Sequence, residues 1–445
     1  MSTKYELIIH WLKNEILRGT INAGDKLPSV RRLAEQFNCS KATVVKAYDV
    51  MEHARIIYPV PKSGYYLISQ KSNTAAKSAT ISVDFAAAVP DKSILPYEEF
   101  CGCLDGAMNL YRDSLFTNSN AQGLPALISI VMKQLQNYQV FAQEKAIFIT
   151  SGSQQAINIL TVMPFPNKKK NVLIEQPTYY GMIKALELNH TNTLGINRGC
   201  NGINFDEFES LLKYGDVKFF YTIPRFHNPT GFSYSNQEKM KIAELCEKYD
   251  VYIVEDDYLA DLEVDSKADP IYALDINARV IYLKTYSKIL LPGLRIAIAV
   301  IPDMLRESFA EYKKWNDLST SVLSQGALAI YITNGMFDKN IKKIKTLYTE
   351  RMSYLKKLTE HLSNSNIKWY IPKSGFFASF EVDRVIKTED LIKNLEQKNI
   401  RLLDASSFYL NNYRDMKIMR LSISSVTNDK IKYGIYGISD CVKYM

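Results

Sequence analysis

The chain has 445 residues, of which 47% are hydrophobic and 23% are charged, a balance that excludes a mostly disordered or fibrous protein. Because a single hydrophobic core stops growing near ~250–300 residues, this length predicts at least two domains. The net charge is +8, and residues 1–70 contribute +4 of it, with ten Lys or Arg against six Asp or Glu. This basic N-terminal segment suggests a polyanionic partner.

Targeting, membrane and metal signals are weak throughout the chain. No apolar run follows Met1, so we expect no secretory signal and a cytoplasmic location. The uncharged stretch 318–337 is interrupted by Ser, Thr, Gln and Asn, which predicts a buried helix and not a membrane span. Of the six cysteines only Cys101 and Cys103 lie close together, so we expect neither a disulfide framework nor a metal site.

Residues 1–69 show the pattern of three helices and a hairpin. Apolar residues recur at helical spacing from Tyr5 to Leu17, and Ser29 and Ser40 are natural N-caps for two further helices, which run through residues 37 and 51. Two β-prone runs, 56–60 and 65–68, then flank a Pro-Lys-Ser-Gly turn. This order predicts a winged helix-turn-helix.

The third helix has the composition of a DNA-recognition helix. In a helix-turn-helix, residues at the start of the second helix of the motif contact base edges in the major groove. Lys41 would donate to guanine acceptors or phosphates, and the small residues around it allow close approach. Arg31 and Arg32, on the preceding helix, would reach backbone phosphates. The alternative is a small helical dimerisation or capping domain with surface charges.

Residues 70–80 separate this head from a different kind of sequence. They are small and polar without an apolar period, which predicts a linker. From 81 to 445 the chain alternates buried-looking strands with helices, beginning with AIFIT and QQAINIL and continuing to IAIAVI. The alternation predicts a large α/β domain built on a mainly parallel sheet.

Four short motifs in the α/β domain stand where ligands bind. Gly152-Ser153-Gln154 lies between a strand and a helix and would present amides and a hydroxyl to an anion. Asn228 belongs to an Asn-Pro-Thr-Gly loop, EDDY places acids at a strand end, and TYSK places Lys288 at another. Each motif alone is compatible with a plain turn, solvated acids or a surface lysine.

Together the motifs match the needs of pyridoxal 5′-phosphate, which are a Schiff-base lysine, an acid for the pyridine nitrogen, donors to the ring oxygen and a phosphate cup. The body also resembles fold-type-I aminotransferases in TSGSQQAINIL, EQPTYYG, NPTG, EDDY, TYSK and MRLS. The head, LPSVRRLAEQFNCSKATVVKAYDVMEHARII with PKSGYYL, resembles the winged-helix head of GntR-type bacterial repressors.

The aminotransferase resemblance implies a role for each matching residue. Lys288 would form the Schiff base, and Asp256 would pair with the pyridinium nitrogen. Asn228 and Tyr258 would donate to the ring oxygen, and Tyr179 would stack on the ring. The residues that would hold the phosphate are Gly152, Ser153, Gln154, Thr285, Ser287 and Arg295.

Two further sets of residues follow from the resemblances. Arg420, in MRLSISS, matches the arginine that holds a substrate carboxylate by a bidentate fork. In the head, the DNA-contacting positions of the GntR-type pattern fall on Arg31, Ser40, Lys41, Thr43 and the wing residue Gly64.

The sequence departs from both patterns at one place each. The Glu-Gly that commonly follows the recognition helix reads His53-Ala54-Arg55, which predicts a different entry into the wing. Many relatives carry a Tyr shortly before the Gly that aligns with Gly123, and that Tyr contacts the phosphate of the partner subunit. This chain has Phe-Thr-Asn at 116–118 instead, and the Leu-Arg that usually follows the Gly reads Leu127-Ile128. This second departure argues against the cross-subunit phosphate contact and for poor turnover.

A GntR-type head joined to an aminotransferase-like body is the architecture of the MocR subfamily of transcriptional regulators. The resemblance implies a homodimer that binds double-stranded promoter DNA and senses pyridoxal phosphate or its adduct with an amine or amino-acid effector. Two alternatives remain open. One is an active aminotransferase with an accessory DNA-binding head, and the other is a scaffold in which the cofactor only stabilises the fold.

Overall fold

The computed structural model of the protein describes residues 3–54, 56–61, 63–68, 83–116, 120–265, 267–362, 366–383, 385–413 and 418–445. The predicted linker 70–80, Arg55 of the altered wing entry, Lys62 of the wing turn and positions 117–118 lie outside these residues, as does the side chain of Phe116. The chain divides into two compact units, residues 1–80 and 81–445, and each is described by itself.

The head is a winged helix-turn-helix. Its elements are α1 Lys4–Leu17, α2 Val30–Gln36, α3 Lys41–His53, β1 Ile57–Val60 and β2 Gly64–Leu67. Both predicted N-caps are confirmed, because Ser29 Oγ accepts from Arg32 N at 3.3 Å and Ser40 Oγ accepts from Thr43 N at 3.2 Å. The α3 helix ends two residues later than the sequence pattern predicted. The strands β1 and β2 pair antiparallel as the wing.

The body begins with the short strand β3 Val83–Asp84 and is then built around a large sheet, which has eight strands among the described residues. The sheet strands are β4 Ile147–Thr150, β5 Asn171–Gln176, β6 Thr193–Gly199, β7 Gly202–Ile203, β8 Val217–Thr222, β9 Tyr252–Asp256, β10 Val280–Thr285 and β11 Ala297–Val300. Their spatial order is β4-β11-β10-β9-β8-β5-β6-β7.

The centre of this sheet is parallel, as predicted. Strands β6, β5, β8, β9 and β10 pair in parallel, whereas β11 pairs antiparallel with both β10 and β4. The central strands are buried along their whole length, which is the pattern of a sheet covered on both faces. Their carboxyl ends therefore open at one edge, where ligands of open α/β sheets bind.

Helices cover the sheet and join it to a smaller second layer. The helices are α4 Tyr97–Leu110, α5 Pro125–Leu135, α6 Ser153–Val162, α7 Tyr180–Leu188, α8 Phe205–Tyr214, α9 Asn236–Lys248, α10 Asp303–Asp317, α11 Val322–Thr333, α12 Met336–Glu360, α13 Thr388–Gln397 and α14 Asn428–Lys443. The smaller layer contains the antiparallel strands β12 Ile367–Tyr370, β13 Phe377–Val382 and β15 Ile418–Ser422, and β14 Ile400–Arg401, which pairs in parallel with β3.

The uncharged stretch 318–337 contains α11, which is shorter than the predicted helix and buries polar and apolar residues in succession, including Gln325 and Leu328. Among the described helices, none combines the length and apolar character needed to span a bilayer.

Candidate functional site

A cavity lies at the carboxyl edge of the large sheet. Eight residues singled out from the sequence line it: Ser153, Tyr179, Asn228, Asp256, Tyr258, Thr285, Lys288 and Arg420. The sequence analysis did not single out the other three lining residues, which are Ala88, Tyr180 and Ile223. The large sheet contributes Asp256 and Thr285 from strand ends, whereas Arg420 comes from β15 in the smaller layer.

Lys288 is an amine held out of water. Its Nζ donates to the backbone oxygen of Ala88 at 2.7 Å. Burial, together with the positive charge of Arg420, lowers the pKa of Lys288 to about 8, although the nearby carboxylate of Asp256 acts in the opposite direction. A lysine with a lowered pKa has a larger neutral fraction near pH 7, and the neutral amine is the form that attacks a carbonyl.

Asp256 ends β9 with one oxygen satisfied and one unsatisfied. Its Oδ2 accepts from the Tyr221 hydroxyl at 2.7 Å, whereas Oδ1 is buried without a hydrogen-bond partner among the described residues. Burial raises the pKa of Asp256 to about 6. A cationic donor at Oδ1 would satisfy this atom and favour the ionised carboxylate.

Arg420 is a buried guanidinium with spare hydrogen-bonding capacity. Its Nη1 donates to Asn228 Oδ1 at 3.1 Å and its Nη2 to the backbone oxygen of Ala86 at 2.5 Å, but Nε has no partner among the described residues. The guanidinium lies 4.5 Å from the ring of Phe377 and 5.0 Å from that of Phe408. Burial lowers the pKa of Arg420 to about 10. Because the same burial excludes water from the guanidinium, an anion that reached it would be bound in a dry environment.

A second anion-binding surface surrounds the start of α6. Gly152 has φ +85°, and a Cβ there would lie 2.4 Å from Arg295 Nη2, so this close approach requires glycine. The Ser287 hydroxyl is buried without a partner among the described residues, and its backbone N donates to Thr285 Oγ1 at 3.2 Å. Helix α6 begins at Ser153 and directs its N-terminal amides toward the same edge.

Three predicted cofactor contacts are occupied by the protein itself. The Tyr258 hydroxyl donates to the Phe226 backbone oxygen at 2.6 Å. Gln154 donates to the Gly181 backbone oxygen at 3.0 Å and accepts from the Tyr179 hydroxyl at 3.3 Å. Tyr179 nevertheless lines the cavity, whereas Gln154 is not among its described lining residues.

Besides the lining residues Tyr180 and Ile223, two polar contributions to the site were missed in the sequence. Tyr221 donates to Asp256 from the neighbouring strand, and its place in the apolar run KFFYTIP, one position before the strand end, was an available signal. The backbone oxygens of Ala86 and Ala88 pair with Arg420 and Lys288 across more than 190 residues of sequence. Backbone groups carry no side-chain signal, so this contribution had none.

The predicted DNA-contacting residues of the head lie on its surface. Arg31, Ser40 and Lys41 are exposed at α2 and at the start of α3, and Thr43 is partly exposed. The hydroxyls of Ser40 and Thr43 are 2.9 Å apart, which orders the first turn of α3. Gly64 opens β2 with φ +133°, a conformation that favours glycine at the wing turn.

Comparisons with known protein families agree with the two units. Residues 4–67 match the family of bacterial regulatory proteins, gntR family, and residues 110–438 match the family aminotransferase class I and II. The first match covers the three helices and the wing. The second covers most of the described body, including every residue that lines the cavity except Ala88.

Individual proteins resemble either the whole chain or the body. An uncharacterized HTH-type transcriptional regulator, YcxD, of Bacillus subtilis (strain 168) is 38% identical over 436 residues, covering 97% of this chain and 98% of that protein. Aromatic-amino-acid aminotransferase 1 of Thermococcus litoralis is 32% identical over 327 residues, 72% of this chain and 78% of that protein.

A solved structure matches the body alone. The kynurenine aminotransferase of Pyrococcus horikoshii, determined in complex with PMP, has a TM-score of 0.75 and 29% identity, and the match covers 81% of this chain and 91% of that one. Because both family matches and a whole-length relative agree, the chain belongs to the GntR-type transcriptional regulators that join a helix-turn-helix head to an aminotransferase class I and II body, the arrangement of the MocR subfamily.

Proposed function

We propose that this regulator binds pyridoxal 5′-phosphate at Lys288 and that the cofactor, alone or combined with an amine, changes how the head binds promoter DNA. The observation that carries the proposal is the joint placement of Lys288, Asp256 and Arg420 around one cavity in a chain that also has a GntR-type head. The match to the aminotransferase class I and II family, together with a similar structure solved in complex with PMP, implies pyridoxal phosphate as the cofactor.

The unsatisfied atoms of the cavity fit this cofactor. Asp256 Oδ1 lacks a partner within the described part of the chain and would accept from a protonated pyridine nitrogen, which would also lower the raised pKa of this carboxyl. The Ser287 hydroxyl, which has no partner among the described residues, and the exposed Arg295 side chain, which lies against Gly152, would take the phosphate. When bound, pyridoxal phosphate supplies a reactive carbonyl that exchanges one amine for another.

The remaining predicted contacts are assigned to the same ligand. Asn228 would turn its Nδ2 donor toward the ring oxygen, because Oδ1 already accepts from Arg420. Tyr258 would join it after giving up the Phe226 backbone oxygen, and the ring of Tyr179 would stack on the cofactor. Additional phosphate contacts are assigned to Gly152, Ser153, Gln154 and Thr285.

Arg420 defines the effector that we propose. A buried guanidinium with one donor that no described residue pairs is best compensated by a carboxylate, so an amine that enters this cavity would carry one. The aromatic side chains of Phe377 and Phe408 keep water away from the guanidinium and strengthen the pairing. The effector is therefore proposed to be an amino acid or a related carboxylate-bearing amine.

DNA recognition is assigned to α3 and the wing. Lys41 and Thr43, at the start of α3, would contact base edges, while Arg31 on α2 would contact a phosphate and Ser40 and Gly64 would approach the backbone closely. Because its target is chromosomal DNA, the regulator is proposed to act in the cytoplasm.

The active form is proposed to be a homodimer. Large apolar side chains on α4 are exposed in the single chain, with Tyr97 67%, Met108 52% and Leu110 67% accessible. Burial of these side chains against a second copy would remove them from water. Sedimentation of the purified chain tests this state directly, and a monomer at micromolar concentration would contradict it.

Enzymatic turnover is the second candidate function, and the intact set of Lys288, Asp256 and Arg420 favours it. The two functions separate in one experiment. The purified chain is loaded with pyridoxal phosphate and mixed with an amino acid and a 2-oxo acid acceptor. A regulator is expected to bind up to one amine per cofactor site and to form no further product. Product formation over many turnovers would show an enzyme.

A further inference from the structure

Residues 223–235 form the loop between β8 and α9 that carries Asn228. One buried carboxylate, that of Glu175, anchors this loop by hydrogen bonds. Glu175, on β5, has no exposed surface, and both of its oxygens are engaged. The donors to Glu175 Oε1 are Arg198 Nη1 at 2.7 Å, the Thr222 hydroxyl at 2.6 Å and the Tyr234 hydroxyl at 2.8 Å. Thr222 and Tyr234 therefore reach the carboxylate from the two ends of the loop, and Arg198 reaches it from β6.

The second oxygen of Glu175 contacts the middle of the loop. Oε2 accepts from Ile223 N at 3.2 Å and lies 3.2 Å from His227 Nε2, without the alignment of a full hydrogen bond. The other ring nitrogen, Nδ1, lies 2.8 Å from the Thr230 hydroxyl. Burial lowers the pKa of His227 to about 4, so the ring is neutral near pH 7 and is held between one acceptor and one hydroxyl.

The carboxylate at the centre of this cluster is ionised. Although burial by itself raises the pKa of Glu175, the Arg198 guanidinium beside it and the hydrogen bond from the Thr222 hydroxyl bring the value down to about 2. Arg198 also donates to the Ile223 backbone oxygen at 2.9 Å and lies 3.7 Å from the centre of the Tyr234 ring. The ion pair therefore ties strands β5 and β6 to the loop at two separate points.

The cluster ends one residue from the cavity. Asn228 follows His227 in the chain, and its Oδ1 accepts from Arg420 Nη1 at 3.1 Å. The described residues that line the cavity include Ile223 and Asn228 but not Glu175. We propose that His227, buried beside Glu175, is a positioning residue that holds the Asn228 amide against Arg420 and so sets the geometry of the carboxylate-binding pair. The identity of the ligand rests on the proposed function, whereas the contact between Asn228 and Arg420 is independent of it.

Three variants of the full-length chain separate positioning from general stability. His227→Leu removes both ring nitrogens from the buried cluster. His227→Gln keeps an amide nitrogen near the place of Nε2 and serves as the conservative rescue. Glu255→Gln is the matched control, because Glu255 is an equally buried acid on β9 whose two oxygens accept from the backbone of Ile271 and Tyr272, neither of which belongs to the loop.

The readouts are crystal structures of the variants and the Kd for 3-phenylpropionate in protein loaded with pyridoxal phosphate. This probe has a carboxylate and no amine, so it cannot react with the cofactor. His227→Leu is expected to lose the Asn228–Arg420 contact and to raise the Kd about ten-fold, the loss of one charge-assisted hydrogen bond. His227→Gln should restore both, and Glu255→Gln should lower Tm while leaving both unchanged.

The proposal is overturned when His227→Leu keeps the contact and the wild-type Kd, or when Glu255→Gln weakens binding as much as His227→Leu does. Should His227→Leu not fold, Thr230→Val, which removes only the hydroxyl beside Nδ1, takes its place with the same two outcomes. Should the wild-type chain take up pyridoxal phosphate but not bind the probe, the proposed carboxylate site fails. The crystal structures then decide the positioning role alone.

Discussion

Two buried lysines of the body have the same lowered pKa and different surroundings. Burial lowers the pKa of both Lys288 and Lys218 to about 8. Lys288 lines the cavity, whereas Lys218 Nζ donates to the Thr161 backbone oxygen at 2.7 Å, outside the described lining of that cavity. Lowered pKa is therefore not sufficient to mark the cofactor lysine, and the surrounding acceptors and acids decide it.

Replacement of these lysines tests the assignment. We expect Lys288→Ala to abolish the absorption band of covalently attached pyridoxal phosphate, because no other amine lines the described cavity. Lys218→Ala is the matched control and should keep the band. The measurement is the visible spectrum of each variant after loading and exhaustive dialysis. A band that persists in Lys288→Ala contradicts the assignment.

The lowered pKa of Lys288 predicts how cofactor attachment depends on pH. Below a pKa of about 8 the neutral fraction of the amine grows with pH, and above it the fraction is already near its maximum. We expect the attachment rate to rise about ten-fold per pH unit on the acid side and then level off, whereas an ordinary lysine would continue to about pH 10.4. Stopped-flow absorbance measures the rate. A rate that still climbs steeply above this pKa would show that Lys288 is not desolvated.

Arg420 is expected to select for a carboxylate. Charge-assisted hydrogen bonds contribute roughly 1.5–3 kcal/mol each, so Arg420→Ala should weaken amino-acid binding about ten-fold or more. Cofactor attachment at Lys288 should remain, because Arg420 does not contribute to the covalent link. Titration of the loaded variant with amino acids, followed by absorbance, measures both. A variant that is misfolded or fails to load cofactor would assign Arg420 a structural role instead.

At the scale of elements, the head separates residues that position it from residues that read sequence. Arg31 on α2 is assigned a phosphate contact and Lys41 and Thr43 on α3 are assigned base contacts. Phosphate contacts contribute equally on every DNA sequence and are weakened by salt, whereas base contacts discriminate among sequences. The two kinds of variant should therefore behave differently.

We expect Arg31→Ala to weaken specific and non-specific binding alike and to flatten the salt dependence by about one unit. Lys41→Ala and Thr43→Ala should instead change the preferred sequence. Lys13→Ala, on the exposed surface of α1, is the control. Fluorescence anisotropy with specific and random duplexes at several salt concentrations measures these effects. If the Arg31, Lys41 and Thr43 variants all bind like the wild type, as the control should, α3 is not the recognition helix.

Across the two units of the chain, structural features that depend on neighbouring residues could be predicted from the sequence, whereas contacts between distant residues could not. Capping serines, the alternation of strands and helices, and the TYSK and EDDY motifs are properties of neighbouring residues, and they predicted the winged head, the parallel sheet and the positions of Lys288 and Asp256. The union of Glu175 with Arg198 and the loop around His227 depends on how strands from different parts of the chain are ordered. No spacing in the sequence expresses that order.

The central claim is that the state of the Lys288 site alters DNA binding by the head. The most direct test is the Kd of the full-length chain for a duplex selected by the protein itself from a random library. It is measured without cofactor, with pyridoxal phosphate, and with pyridoxal phosphate plus each of a panel of amino acids. We expect at least one ligand state to change the Kd by about five-fold or more, the usual size of allosteric coupling. The change should vanish in Lys288→Ala and persist in Lys218→Ala. Identical Kd values in every state, with absorbance showing full cofactor loading, would contradict the account.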